Sequence, residues 1–269
     1  MVASPFRFRD RRVNSMAELL TCKLKDERAL GVQSKIWYRG LTNAAYKLLP
    51  TLHRNGIPVA REMDLMNRFK QNAHEFLDQR PQGEWEWMLI MRHHGLPSRL
   101  MDWTESPLIG IYFSVFGEPP RGGNQDETDG VLWCVLPTQL NYFARGEQPL
   151  PDAIPMFSDE REISTFDEFL ENYRPSRVSR LTSQSKVPPA AAISIRTTKR
   201  IQSQQGVFTI HHSDDTPVEN VGDGSHIWRY LIPARSKKQI RDELGKLGVT
   251  RLTVFPELDN VAREAMGGL

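Results

Sequence analysis

The chain has 269 residues, 39% of them hydrophobic and 25% charged, and a net charge of +2 at neutral pH. That length holds one large domain or two small ones with a sizeable core, and the composition is that of a globular chain, not a disordered one. The near balance of charge gives no general case for a nucleic-acid partner.

Two cysteines, Cys22 and Cys134, lie too far apart in sequence to suggest a disulfide framework or a zinc site. No apolar run reaches the roughly 18 residues of a membrane span. The N-terminal stretch MVASPFRFRDRRVNS is basic but has no apolar signal-peptide core. The expectation is a cytoplasmic chain with reduced thiols and no membrane partner.

Residues 15–30 carry apolar positions at helical spacing, and Ser15 with Glu18 has the pattern of a capping box. KIWYRGL (35–41), short, aromatic and closed by Gly40, predicts a strand. Over 59–80, Met63, Met66, Phe69, Ala73 and Phe76 fall at the three- and four-residue steps of a long helix. Residues 84–94 form a second helix, stopped by Gly95 and Pro97. SRLMDWT (98–104) then reads as a short strand. Residues 106–116 read as a buried helix with Ser106 at its N-cap and Pro107 at its first position.

EPPRGGNQDETDG is a turn-rich loop leading to a strand at 130–137. Residues 144–187 are polar and weakly periodic, with one helical stretch at ISTFDEFLENY. Strands are predicted at 190–196, 206–212 and 226–233. An amphipathic helix over KKQIRDELGKLG ends at Gly248, a last strand occupies 250–255, and PELDNVAREAM forms a short helix. The result is an α+β fold: a single mixed domain with helices mainly in the N-terminal half, packed on a mixed or split β-sheet. It lacks the regular βαβ alternation of a doubly wound fold.

The chemistry concentrates in two strands. On the first, Trp37 and Arg39 share a face, and Gly40 follows. An arginine beside an aromatic, with glycine allowing close approach, can grip a phosphate or carboxylate. It can equally be paired to a carboxylate at a strand end. On the second, Asp102 and Thr104 point one way and Trp103 the other. Asp102 is a candidate buried partner for Arg99 or Arg39, since buried charges are normally paired. Thr104 and Ser106 can instead offer hydroxyls at the mouth of a cleft.

His93 and His94 are about 100° apart on a helix and do not share a metal; His94 reads as the helix's C-terminal cap. His211 and His212 precede Asp214 and Asp215, and no metal is assigned to them. The P-loop, GxGxxG, HExxH and GxSxG patterns are absent.

YRG (38–40), HHGLPSRLMDWTESPLIGIYFS (93–114), RIQSQQGVFTIH (200–211) and VFPELDNVA (254–262) together resemble the FRG domain family. The resemblance runs over 35–262, after an N-terminal helical extension at 1–34 and before a tail at 263–269. Tyr38 stands for the Phe of the name motif, Ser98 for the usual Thr, and PELDN for the commoner PDLDG. The family is generally of unknown function. Its bacterial and phage-associated distribution implies an accessory setting such as phage defence or a toxin.

A more distant resemblance is to the arginine-class ADP-ribosyltransferase fold, whose first strand carries an Arg for the NAD phosphates and whose second offers hydroxyls. Tyr38-Arg39-Gly40 is similar to the first element. Asp102 to Ser106, followed by Ile109 to Ser114, is similar to the second. Gln205 stands near the start of a late strand, where that family supplies a catalytic Glu, and Glu257 follows the last strand. The resemblance implies NAD as substrate, without a metal, and a macromolecular acceptor beside the nucleotide. It places Arg39, Gly40, Tyr38, Arg99, Trp103, Ser106 and Gln205 around the ligand, with Glu257, Asp102 and Thr104 as catalytic groups. Breaking the nicotinamide–ribose bond develops positive charge on the ribose, which a carboxylate stabilises. The implied function is an ADP-ribosyltransferase or NAD glycohydrolase. The alternative is a non-catalytic nucleotide- or partner-binding module of the same fold.

Overall fold

The computed structural model describes residues 6–31, 35–77, 80–117, 127–147, 153–159, 168–180 and 187–267. Seven strands are β1 (Arg11–Arg12), β2 (Trp37–Leu41), β3 (Leu100–Thr104), β4 (Gly130–Val135), β5 (Ala190–Ala192), β6 (Gly206–Ile210) and β7 (Ile227–Ile232). They form one mixed sheet in the order β1-β7-β4-β2-β3-β6-β5. Only the β1–β7 pair is parallel. The sheet is continuous, where the sequence left a split pair open.

Strand alternation sorts the core. Trp37, Met101, Trp103, Val131, Trp133 and Val135 pack on one face. The other face carries two separate clusters. One joins Tyr38, Leu132, Cys134 and Tyr230 to α1 (Met16–Leu30) and to later helices; the other lies over Leu100, Phe208 and Ile210.

Short α2 (Thr51–Arg54) precedes α3 (Arg61–Ala73) and α4 (Glu84–His93), which cover the Leu100 cluster with Met66, Trp85, Met88 and Met91. α5 (Pro107–Val115) covers the Tyr38 cluster with Ile109, Ile111 and Tyr112. Ser106 caps α5 by accepting the Ile109 N–H at 3.4 Å. At α1, Ser15 accepts from the Glu18 N–H, while the Glu18 carboxylate takes the Asn14 N–H at 2.8 Å.

α6 (Pro137–Ala144), α7 (Pro175–Val178), α8 (Lys199–Ser203), α9 (Lys237–Lys246), α10 (Arg251–Val254) and α11 (Leu258–Ala265) complete the chain. Among the described residues, six α-helices therefore lie in the half that the sequence assigned mainly to strands.

Several expectations change. Residues 250–255, expected as a strand, form α10. Thr250 accepts the Thr253 N–H and donates its own N–H to the Thr253 hydroxyl, so the two threonines close a cap. The helix expected over 59–80 ends at Ala73, followed by a 3-10 turn at His74–Phe76. The strand expected over 190–196 stops at Ala192. Of ISTFDEFLENY, 168–173 forms a 3-10 helix, and 163–167 lies outside the described residues, as does 118–126 of the predicted loop. β1 and the helices α2, α6, α7 and α8 are additions; all are short, and a two-residue strand leaves no periodicity to read. No helix among the described residues is long and apolar enough to cross a membrane.

Candidate functional site

The two clusters on one face of the sheet leave a gap between α4 and α5, and a cleft of about 530 Å³ opens there. Its floor is Arg39, Asp102, Thr104, Gly206 and Phe208; its walls are the end of α4 (Leu89 to Gly95), Phe113 of α5, and Arg200, Ile201 and Gln204 around α8.

The floor is shaped by how β2 meets its neighbours. β2 pairs with β4 along its whole length but with β3 at a single registered position, Tyr38 opposite Thr104. Beyond that point Arg39 reaches across, and one terminal nitrogen (Nη1) donates to the Asp102 carbonyl. Its Nε is buried without a partner, and Nη2 has none among the described residues. Burial pushes the Arg39 guanidinium down to about 10, against the pull of Asp102 and with the push of Arg92 and Arg54. Arg39 thus stays a cation at neutral pH.

Gly40 has a different duty. A Cβ there would lie 2.0 Å from the Gly110 carbonyl and 2.4 Å from the Ser114 nitrogen. The glycine lets α5 rest on β2, which makes it a packing requirement.

Asp102 is the only carboxylate lining the cleft among the described residues. Arg92 holds it at 2.5 Å, while Nη1 of Arg92 also donates to the Thr51 hydroxyl at 3.0 Å. Burial pushes the Asp102 carboxyl up, but Arg92, with Arg39 and Arg200, more than offsets this and leaves it below the usual range. The expectation that Asp102 is buried against Arg99 or Arg39 is therefore corrected. Its side chain is 46% exposed and its carboxylate pairs with Arg92.

Arg99 lies fully buried away from the cleft, bonded to Glu62 at 2.6 Å and to the carbonyls of His211 and Tyr173. That network uses the donors a ligand would need.

The remaining residues named from the sequence divide. Tyr38, Trp103 and Thr104 line the cleft. The Tyr38 hydroxyl turns to Glu27, and the Trp103 indole is buried in the opposite face's cluster, donating to Thr209 at 3.0 Å. Its face is not open to a stacking ring. The Thr104 hydroxyl donates to the Gln204 carbonyl and accepts the Ser106 N–H. Ser106 is the α5 cap outside the cleft lining, as is Gln205, exposed and in the left-handed region at φ 46°. Its neighbour Gln204 faces the cleft instead. Glu257 is exposed at the start of α11; its charge reaches His93 on the rim without lining the cleft.

Arg92, His93, Arg200 and Gln204 were not singled out as ligand contacts. The first two look like the polar end of an amphipathic helix; Arg200 sits on a helix of five residues and Gln204 directly follows it. Burial lowers the His93 imidazole, helped by Arg200 and His94, so it is neutral at pH 7. With Arg39, Arg92 and Arg200 around one carboxylate, the cleft carries excess positive charge suited to an anion. Among the described residues no group of three or more His, Cys, Asp or Glu side chains is arranged to hold a metal ion.

Residues 34–121, about a third of the chain, match the family model of the FRG domain. The matched span includes Arg39, Gly40, Arg92 and Asp102, while Arg200, Gln204 and Glu257 fall outside it. No curated protein and no solved structure matches the chain.

Proposed function

We propose that the cleft binds the phosphates of a nucleotide, with NAD as the ligand, and that the protein is an NAD-using ADP-ribosyltransferase or glycohydrolase. Arg39 carries this reading: a cation on the cleft floor with one terminal nitrogen fixed and its remaining edge unpartnered among the described residues. Such an edge suits a phosphate, which accepts two parallel bonds from a guanidinium. Arg92 and Arg200 add charge beside it, and Asp102 is the carboxylate placed to stabilise positive charge developing on a ribose. The defence or toxin setting implied by the family's distribution belongs to the same proposal.

A second reading, a non-catalytic nucleotide-binding module, is favoured by the bonds already made by Asp102 and Thr104. Nicotinamide release separates the two.

The test is titration of wild type and Arg39→Lys with NAD, after circular dichroism shows both equally folded. Lysine keeps the charge and loses the planar fork. Loss of a charge-assisted bond of about 1.5–3 kcal/mol weakens binding roughly ten- to a hundred-fold. A wild type that binds no NAD, or a variant that binds it equally well, overturns the proposal.

A further inference from the structure

A second cleft of about 850 Å³ adjoins the first along α4. It shares Leu89, His93 and His94 with the first. The opposite wall is shared in sequence as well: Ile195, Thr197 and Thr198 face the second cleft, and Arg200, Ile201 and Gln204 face the first. The two clefts therefore adjoin as a trough beside α4 and the segment entering α8, with Leu89, His93 and His94 bordering both. From Trp85 to His94 the helix rises about 14 Å at ~1.5 Å per residue.

The two ends differ in chemistry. The first holds Arg39, Arg92 and Arg200 against one carboxylate. The second sets one arginine, Arg80, against two carboxylates, Glu86 and Asp159, so its net charge is small. Its Asp159 is held by Arg174 at 2.7 Å and by the N–H groups of Trp85 and Glu86, and its Glu86 accepts the Gln82 N–H. Its base is the Trp85–Phe157 ring pair, with centroids 4.6 Å apart, and its lip carries two exposed apolar side chains, Met156 (36% exposed) and Ile195 (64%).

We infer that the trough takes a dinucleotide lengthwise, its diphosphate at the arginine end and one uncharged nucleoside half in the second cleft against Met156 and Ile195. This rests on the nucleotide reading above and deepens it by giving the ligand a length and a direction. Each cleft alone falls within the roughly 300–1,000 Å³ that holds one small ligand. A mononucleotide leaves one of them empty, and a dinucleotide fills both. The apolar surface exposed at Met156 and Ile195 is then covered, which is favourable in proportion to its area.

The experiment is calorimetric titration of wild type, Met156→Glu and Ile195→Glu with NAD and with inorganic pyrophosphate, the probe of the end that holds three arginines. Both substitutions are at exposed positions, so the folded chain is kept. The expected result is NAD binding weakened roughly tenfold or more in each variant, with pyrophosphate binding unchanged. If wild type binds both ligands and the lip variants bind NAD within about twofold of it, the lengthwise placement is wrong and the nucleotide cleft stands. If wild type binds neither ligand, both fall.

Discussion

Glu62 and Arg99 form a fully buried ion pair: Oε2 lies 2.6 Å from Nε, and Oε1 accepts the Arg99 N–H at 2.7 Å. Glu62 is on α3 and Arg99 directly precedes β3, so the pair fastens the helical layer to the strand that carries Asp102. Glu62→Ala leaves a buried guanidinium unpaired and is expected to cost about 3–5 kcal/mol. Replacing both partners, as in Glu62→Leu with Arg99→Met, removes the unpaired charge and recovers part of the loss, since the Arg99 N–H and the His211 and Tyr173 carbonyls still lose their partners. Urea unfolding of wild type and the two variants measures this. A Glu62→Ala protein as stable as wild type would contradict the pairing.

Gly40 and Gly110 set the distance between β2 and α5. A Cβ on Gly40 would collide with helix backbone at 2.0 Å, and one on Gly110 would meet Leu132 and the Tyr38 Cβ at 2.8 Å. Backbone does not yield as a side-chain end does, so Gly40→Ala must push α5 outward. The expected loss is at least that of overpacking a core, about 1–3 kcal/mol. Gly110→Ala has Leu132 to move and is expected to cost less. Thermal unfolding of the two variants decides the order; an unaffected Gly40→Ala would show that α5 shifts freely.

The pattern of apolar residues was enough to reveal β2, β3, β6 and β7 and the helices α1, α4, α5 and α9 to within a residue or two at their ends. These elements repeat one period over five residues or more. Thr250 to Phe255 misled because alternating Leu252 and Val254 with β-branched neighbours mimics a strand, while Thr250 and Thr253 cap each other across a turn. The cleft was half legible. Arg39, Gly40 and Asp102 stand in a recognisable motif, but Arg92 comes to it from the last turn of α4, and Arg200 because the sheet order sets β6, with α8 before it, beside β3. No sequence spacing reports that Asp102 faces Arg92 while Arg99 turns inward to Glu62.

Two buried histidines make the fold acid-sensitive. His226 is fully buried with Nε2 3.0 Å from the Val218 carbonyl and Nδ1 unpartnered, and burial pushes it down to about 4. Burial also holds His211 well below its usual value, with His53 and Arg99 adding to the effect. The folded state therefore resists the proton that the unfolded chain accepts near pH 6.5. Stability is present above that pH and lost as pH falls from there toward 4. His226 alone contributes a loss of about 2 kcal/mol between pH 7.5 and pH 5. Urea unfolding at those two pH values, in wild type and His226→Gln, tests this. The variant is expected to be less stable at pH 7.5 but to lose less on acidification. Equal losses would remove His226 from the account.

Asp102 separates stability from chemistry. Its side chain is 46% exposed, so Asp102→Asn leaves Arg92 with water at hand, and the cost falls in the ~0–1 kcal/mol range of exposed pairs rather than that of buried ones. Among the described residues the cleft is then lined by three arginines and no carboxylate. Its field on an anion strengthens, so NAD binding should hold or tighten slightly. A positive charge developing on the ribose, by contrast, loses the group facing it, and release of nicotinamide should fall by roughly a hundred-fold or more. Measuring NAD affinity and nicotinamide release on the same Asp102→Asn sample distinguishes the outcomes. Affinity kept with release lost assigns Asp102 to the bond-breaking step. Release retained at the wild-type rate returns catalysis to another carboxylate, and Glu257 beside His93 is then the next to replace.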